Sequence, residues 1–248
     1  MKTTITLLLT ITSMVVGCGD DYDLDQFALN ATTLALHYDD VYPFSIKLGK
    51  TDIAASTFKW SSSDEHVGTI DANGVFHAKK IGTTTIHATN NTSTLSCTIS
   101  IEPYETFLTE PVSSFGASVS DVRTFEQRKL SADVSGSLLL YNGENDLVDG
   151  VMYNFQDEKL ANCIVLFANT SELVERVKTF YSERYTYMGE TDDVLYFEGK
   201  NNLIIALNIK GTGSKNAVYR SKSIEQTKRI VSAIKQRLQW MEKLLSDE

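Results

Sequence analysis

The sequence predicts an all-β sandwich followed by an α+β domain, with a short export segment ahead of both. Three patterns carry that reading. From about residue 27 to residue 102, apolar residues alternate in short runs broken by turn residues, the signature of half-buried strands. After Ile101-Glu102-Pro103 the apolar spacing lengthens to a helical period in places and histidine disappears. Ahead of both, Met1-Lys2 gives a positive start and Ile5 to Val16 is mostly apolar, which is too short to span a bilayer but suits an export signal.

The apolar run ends in Val15-Val16-Gly17-Cys18 and turns at once into Gly19-Asp20-Asp21-Tyr22-Asp23-Leu24-Asp25. Two aliphatics, a small residue and a cysteine resemble the lipobox of bacterial lipoproteins. That resemblance implies a signal peptide over residues 1–17, cleavage before Cys18, and lipidation of its sulfur, so that acyl chains hold the protein to a membrane. The acidic stretch, a tether over 18–26, resembles the surface-export signal of lipoproteins in one large Gram-negative phylum. It also reads as a solvated leash repelled by anionic headgroups. The implied address is the outer membrane, facing either the cell surface or the periplasm. Asp21, Asp23 and Asp25 have the alternate spacing of a calcium loop, but Gln26 stands where that loop needs glycine.

In residues 27–102, strands are expected at Thr57–Ser61, Gly74–Ala78, Thr83–Thr89 and Thr94–Ile101, with a turn at Asp71-Ala72-Asn73-Gly74. Four blocks occur here in order: Trp60-Ser61-Ser62-Ser63, Val67-Gly68-Thr69-Ile70-Asp71, Asn73-Gly74-Val75 and Gly82-Thr83-Thr84-Thr85-Ile86. Together they resemble the bacterial Ig-like group 2 (BIG2) family, which implies an Ig-like sandwich of the kind used as spacers and adhesive modules in surface proteins. Two positions depart from the family pattern: Asp39-Asp40 replaces the usual glycine of the first hairpin, and no proline follows Gly49. Trp60 is expected to plug the space between sheets. All four histidines, His37, His66, His77 and His87, lie in this region. His77 and His87 could be cross-strand neighbours, but no metal site or cofactor is expected.

The second domain, residues 103–248, opens with a helix capped by Ser118, with Asp121 at the capping-box position and Val119, Val122 and Phe125 on one face. Strands are expected near Ser137–Asn142, Gly150–Phe155 and Leu160–Phe167. A second helix over about Ser171–Arg184 would bury Leu173, Val174, Val177 and Phe180, with strands again near Val194–Phe197, Leu203–Ile209 and Ala217–Arg220. Val122-Arg123-Thr124-Phe125 matches Val177-Lys178-Thr179-Phe180 at a shift of 55 residues, and Leu140-Tyr141 meets Leu195-Tyr196 at the same shift. Leu147-Val148 then meets Leu203-Ile204 after one inserted residue. The pattern predicts a tandem helix–three-strand repeat, an antiparallel sheet with helices on one face. That order is loosely similar to the tandem units of secreted β-lactamase-inhibitor proteins. A C-terminal helix is expected over about Ile224–Leu245, with Ile230, Ile234, Leu238, Met241 and Leu245 in its apolar stripe.

Net charge of −9 argues against nucleic acid as a partner. Cys97 and Cys163 fall in different predicted domains and read as buried small hydrophobes rather than a disulfide. With no histidine after His87, the second domain cannot host a Ser-His-Asp site alone. Lys210-Gly211-Thr212-Gly213-Ser214-Lys215 lacks phosphate-loop spacing. Asp192-Asp193 and Glu198 are available as a carboxylate pair for acid/base work, although acidic loop residues are normally solvated surface. No catalytic residue is assigned, and the chain reads as a non-enzyme. The second domain holds 8 of the 11 tyrosines, so a ligand-binding or adhesion lipoprotein, taking a glycan or a protein, is the favoured reading. The rivals are an envelope structural or inhibitor-type partner protein and a carboxylate-based hydrolase.

Overall fold

The computed structural model describes residues 26–170, 172–191, 193–210 and 213–221. The expected signal peptide, Cys18 and the acidic tether lie outside these residues, as does the expected helix over 224–245.

Ten short strands form the first part: β1 (Phe27–Leu29), β2 (Thr33–His37), β3 (Val41–Pro43), β4 (Ile46–Leu48), β5 (Thr51–Ile53), β6 (Lys59–Ser62), β7 (Gly68–Ile70), β8 (Val75–Ala78), β9 (Gly82–Thr89) and β10 (Thr94–Glu102). They make a four-stranded sheet, β2-β10-β9-β6, and two three-stranded sheets, β1-β4-β5 and β3-β8-β7. Alternation drives the packing: Ile86 and Ala88 of β9 and Cys97, Ile99 and Ile101 of β10 point inward while their neighbours face out. Phe44, Val67, Phe76 and Ala78 meet most of these residues in one cluster, and Ile46 and Phe58 close the other end over Ala88.

The expected plug is displaced. Trp60 is only partly buried, and the fully buried aromatic between the sheets is Phe76. Trp60 packs against both clusters from one edge, where its indole Nε1 donates to the Ala55 carbonyl at 2.9 Å and the ring lies against Gly74 of the Asp71–Gly74 turn. A Cβ on Gly74, whose φ is +77°, would lie 2.8 Å from that ring, so both the turn and the packing require glycine here. Asp39 adopts φ 64° in the β2–β3 hairpin, and Asp40 accepts the His37 amide at 2.7 Å. Asp39 therefore supplies the left-handed residue of this turn, at the hairpin where the sequence departs from glycine.

The second part contains α1 (Val119–Phe125), β11 (Leu130–Val134), β12 (Leu138–Asn145), β13 (Val148–Gln156), β14 (Lys159–Phe167), α2 (Leu173–Ser182), β15 (Thr186–Thr191), β16 (Val194–Glu198), β17 (Leu203–Asn208) and β18 (Lys215–Ser221). The eight strands form one antiparallel sheet in the order β11-β12-β13-β14-β18-β17-β16-β15. The expected helix–three-strand units are thus corrected: four strands follow each helix, and the described residues are mostly strand with only two α-helices. The two strands not foreseen, β11 and β15, are the sheet's outer edges. They are largely exposed, so they lack the apolar alternation that marks the others. The matched tetrapeptides also sit in unlike environments, since Phe180 is fully buried whereas Phe125 is 67% exposed.

Helix α1 starts where expected. The Ser118 hydroxyl accepts the Asp121 amide and Asp121 accepts the Ser118 amide, completing a capping box. These bonds from Ser118 hold the Asp121 carboxyl below its usual range, so its contribution is present above the unfolded value of 3.8 and is lost as pH falls through the lower, folded one. Val122 of α1 and Leu173, Val177, Phe180 and Tyr181 of α2 enter one core with Tyr153, Cys163, Ile205 and Tyr219. Both helices therefore lie on the same face of the sheet.

Candidate functional site

The sites expected from sequence do not assemble. Of the second domain's tyrosines, Tyr141, Tyr153 and Tyr196 are 3%, 0% and 7% exposed, so they cover the sheet rather than offer an open recognition surface. His77 and His87 lie on strands of different sheets and are not cross-strand neighbours. Among the described residues no group of three metal-ligating side chains converges. Asp192 lies outside the described residues. Asp193 occupies the β15–β16 turn and Glu198 ends β16, which puts them about 16 Å apart along the strand, beyond the spacing of a glycosidase pair. Lys210 pairs with Glu190 and Lys215 with Asn169, so both are engaged in the fold. Cys97 and Cys163 are free, fully buried, and in separate cores.

A different cleft, of about 360 Å³, opens at the C-terminal end of α1. Phe125, Gln127, Lys129, Asn142 and Glu144 border it, and Glu126 and Arg128 form its floor. The floor is an ion network held out of water. The side chains of Glu126 and Arg128 are 3% and 5% exposed. Arg128 Nη1 donates to both Glu126 oxygens at 3.0 and 2.9 Å, and the Arg128 amide donates to Oε1 at 2.9 Å. Its Nη2 donates to Glu144 Oε1 at 3.1 Å and to the Thr109 carbonyl, while the Thr109 amide donates to the same Glu144 oxygen at 2.7 Å. From below, the Tyr153 hydroxyl donates to Glu126 Oε2 and accepts the Val112 amide at 3.0 Å.

Electrostatics follow from this packing. Burial works against the Arg128 charge, but Glu126 and Glu144 outweigh it and raise its pKa. Burial, with the Glu126 hydrogen bond, lifts the Tyr153 hydroxyl far above the ordinary phenol, so it stays a neutral donor. Arg128 Nε remains buried without a partner. The chain direction explains the exposed ring: Glu126 ends α1 in an extended conformation and turns its carboxylate inward, leaving the preceding Phe125 outside. Sequence reasoning missed this site because a Phe-Glu-Gln-Arg run at a helix end reads as ordinary amphipathic surface.

A second polar centre joins the two parts of the chain. Glu183, with 0% exposure, accepts the amides of Tyr104 and Glu105 at 2.8 and 3.2 Å and pairs with Arg184. At the same corner Lys80 Nζ donates to the Ser182 carbonyl at 2.6 Å, and the Ile81 amide donates to the Glu183 carbonyl at 2.8 Å. These are the end carbonyls of α2, where a cation is favoured. His37 stacks on Tyr104 with centroids 4.6 Å apart.

Residues 23–99 match the family model described as bacterial Ig-like domain (group 2). That match and the sheet pairing give this part of the chain an Ig-like all-β fold, in a family whose domains are commonly adhesion or surface-binding modules. Among solved structures the chain is similar to the tandem Ig domains of titin, with 8% identity, a TM-score of 0.22, and coverage of 80% of this chain and 83% of that one. A search of curated proteins finds no match.

Proposed function

We propose that the chain is a lipoprotein, cut before Cys18 and held on the outer membrane, facing the cell surface, by acyl chains on that cysteine. In this reading the Ig-like sandwich is a spacer that carries the eight-stranded unit away from the membrane, and the Phe125 cleft of that unit receives the ligand. The observation that carries the binding role is the pairing of a 67% exposed phenylalanine with an immobile polar floor. An exposed ring gains nothing from burial, yet it offers the flat apolar surface that stacks on a sugar face, and Gln127, Lys129 and Asn142 supply hydrogen bonds around it.

The small cleft favours a glycan of one or a few units over a protein, whose stable interface buries roughly 800 Å² on each partner. Binding is favoured over hydrolysis because the three lining carboxylates are engaged with cations, Glu126 and Glu144 with Arg128 and Glu110 with Arg184, which leaves none poised to shuttle a proton.

Two tests follow. Cys18→Ser moves the chain from the detergent-extracted membrane fraction to the soluble one; an unchanged membrane fraction would reject the anchor. Phe125→Ala abolishes retention on a glycan array while shifting stability by less than about 0.5 kcal/mol, as expected for a surface position. Undiminished glycan binding by that variant would remove the cleft from the function. Loss of an envelope protein, rather than a glycan, on the same substitution would favour the inhibitor-type reading.

A further inference from the structure

The eight-stranded sheet has a second face, opposite the helices. Met152, Ile164, Val218, Ala206 and Tyr196 stand in register across β13, β14, β18, β17 and β16, one residue per strand. This row spans four inter-strand spacings, about 19 Å. Ile164, Val194, Tyr196, Ala206 and Val218 form an apolar cluster with Met152 and Leu166, and the five are only 0–7% exposed. Neither α1 nor α2 contributes to that cluster, and every described member belongs to the strands themselves. In β17 all six residues are buried, which requires cover on both faces of the sheet. Cover also reaches past the row: Arg220, two residues beyond Val218 on β18, has its Nε and Nη1 buried without a partner.

We propose that the chain's own residues 222–248 are the occupant of this face, docking the stripe Ile230, Ile234, Leu238, Met241 and Leu245 across the row. The chain leaves β18 at Ser221, three residues after Val218, so the segment begins beside the face. Its apolar residues recur at intervals of four, four, three and four, which places them on one side of a helix. A helix over residues 224–245 would be about 33 Å long, enough to cross the row. Lys228, Arg229 and Lys235 fall away from the stripe and would face water, while Arg237 would stand at its edge. The second face would then be closed by the chain itself, leaving the Phe125 cleft on α1 as the open surface of this unit. The inference does not depend on what that cleft binds.

A photo-cross-linking amino acid placed in the full chain at Met152, and separately at Leu166, tests it. Mixed light and heavy isotope chains distinguish cross-links within a chain from those between copies. Cross-links to peptides of 222–248 within the same chain are expected at both positions. Beyond links to the neighbouring strands, which the sheet gives in any case, links between copies, links to another segment in place of 222–248, or no link to 222–248 at either position would overturn the proposal. As a second measurement, Ile234→Asp and Leu238→Asp should raise the fluorescence of a hydrophobic dye several-fold, while Lys235→Asp leaves it unchanged. Equal dye binding by all three variants would count against the docked stripe.

Discussion

Glu126→Ala lowers stability by about 3–5 kcal/mol, the range for removing one partner of a buried ion pair. The effect is large because three groups lose their acceptor together. Arg128 is left with its Nη1 unpaired beside an Nε that already lacks a partner, in a site where its side chain is 5% exposed. Tyr153, fully buried, loses the carboxylate that takes its hydroxyl proton in hydrogen bonding. The Arg128 amide loses its 2.9 Å acceptor as well. Glu126→Gln should cost less, since the amide oxygen still accepts from one donor while its NH₂ opposes the guanidinium. Urea unfolding of the two variants against the parent gives the ordering; a loss below about 1 kcal/mol for the alanine variant would show a surface-like pair. The same substitution should release the loop that holds Phe125 outward, so ligand retention falls with it.

The readable parts of this fold are those where one face of an element is buried and the other wet. β9 and β10 alternate along almost their whole length and are visible in the sequence to within a residue or two. The α1 cap is equally legible because Ser118 and Asp121 declare it locally. Edge strands β11 and β15 are not legible: exposed on both faces, they are ordered by backbone pairing with β12 and β16, which leaves no mark on side-chain choice. The exposure of Phe125 is hidden in the sequence for a related reason. Its spacing from Val122 puts it on the buried side of a longer helix, but the helix stops at Phe125 and the chain turns. The tyrosines leave two readings open in the sequence, a recognition surface or cover for the sheet, and Tyr141, Tyr153 and Tyr196 take the second, because amphipathic residues say nothing in sequence about which side is wet.

In the proposed reading the Ig-like sandwich serves as a spacer only if it is rigidly coupled to the eight-stranded unit, and Glu183 joins the two with several hydrogen bonds. Glu183→Ala should cost about 1–3 kcal/mol or more, the range for leaving a buried donor unsatisfied, although Arg184 keeps a second carboxylate partner in Glu110 at 3.4 Å. It also strips the acceptor from the amides of Tyr104 and Glu105, the second and third residues after the strand that leaves the sandwich. Arg184 keeps its place over the Phe180 ring, 3.7 Å from the centroid, and its bond to the Glu105 carbonyl, so the corner loosens without dissolving. The consequence reaches beyond total stability. With this junction weakened, Lys80 to Ser182 and Ile81 to the Glu183 carbonyl become the main direct hydrogen bonds from the β8–β9 turn to α2. In a Trp240→Phe background Trp60 fluorescence follows the sandwich alone, while near-ultraviolet tyrosine dichroism is dominated by the eight-stranded unit. The parent should unfold with coincident midpoints by both probes, and Glu183→Ala with separated ones. Coincident, unshifted midpoints in the variant would mean that the two parts are not joined through this carboxylate, and the sandwich would then be a loose tether.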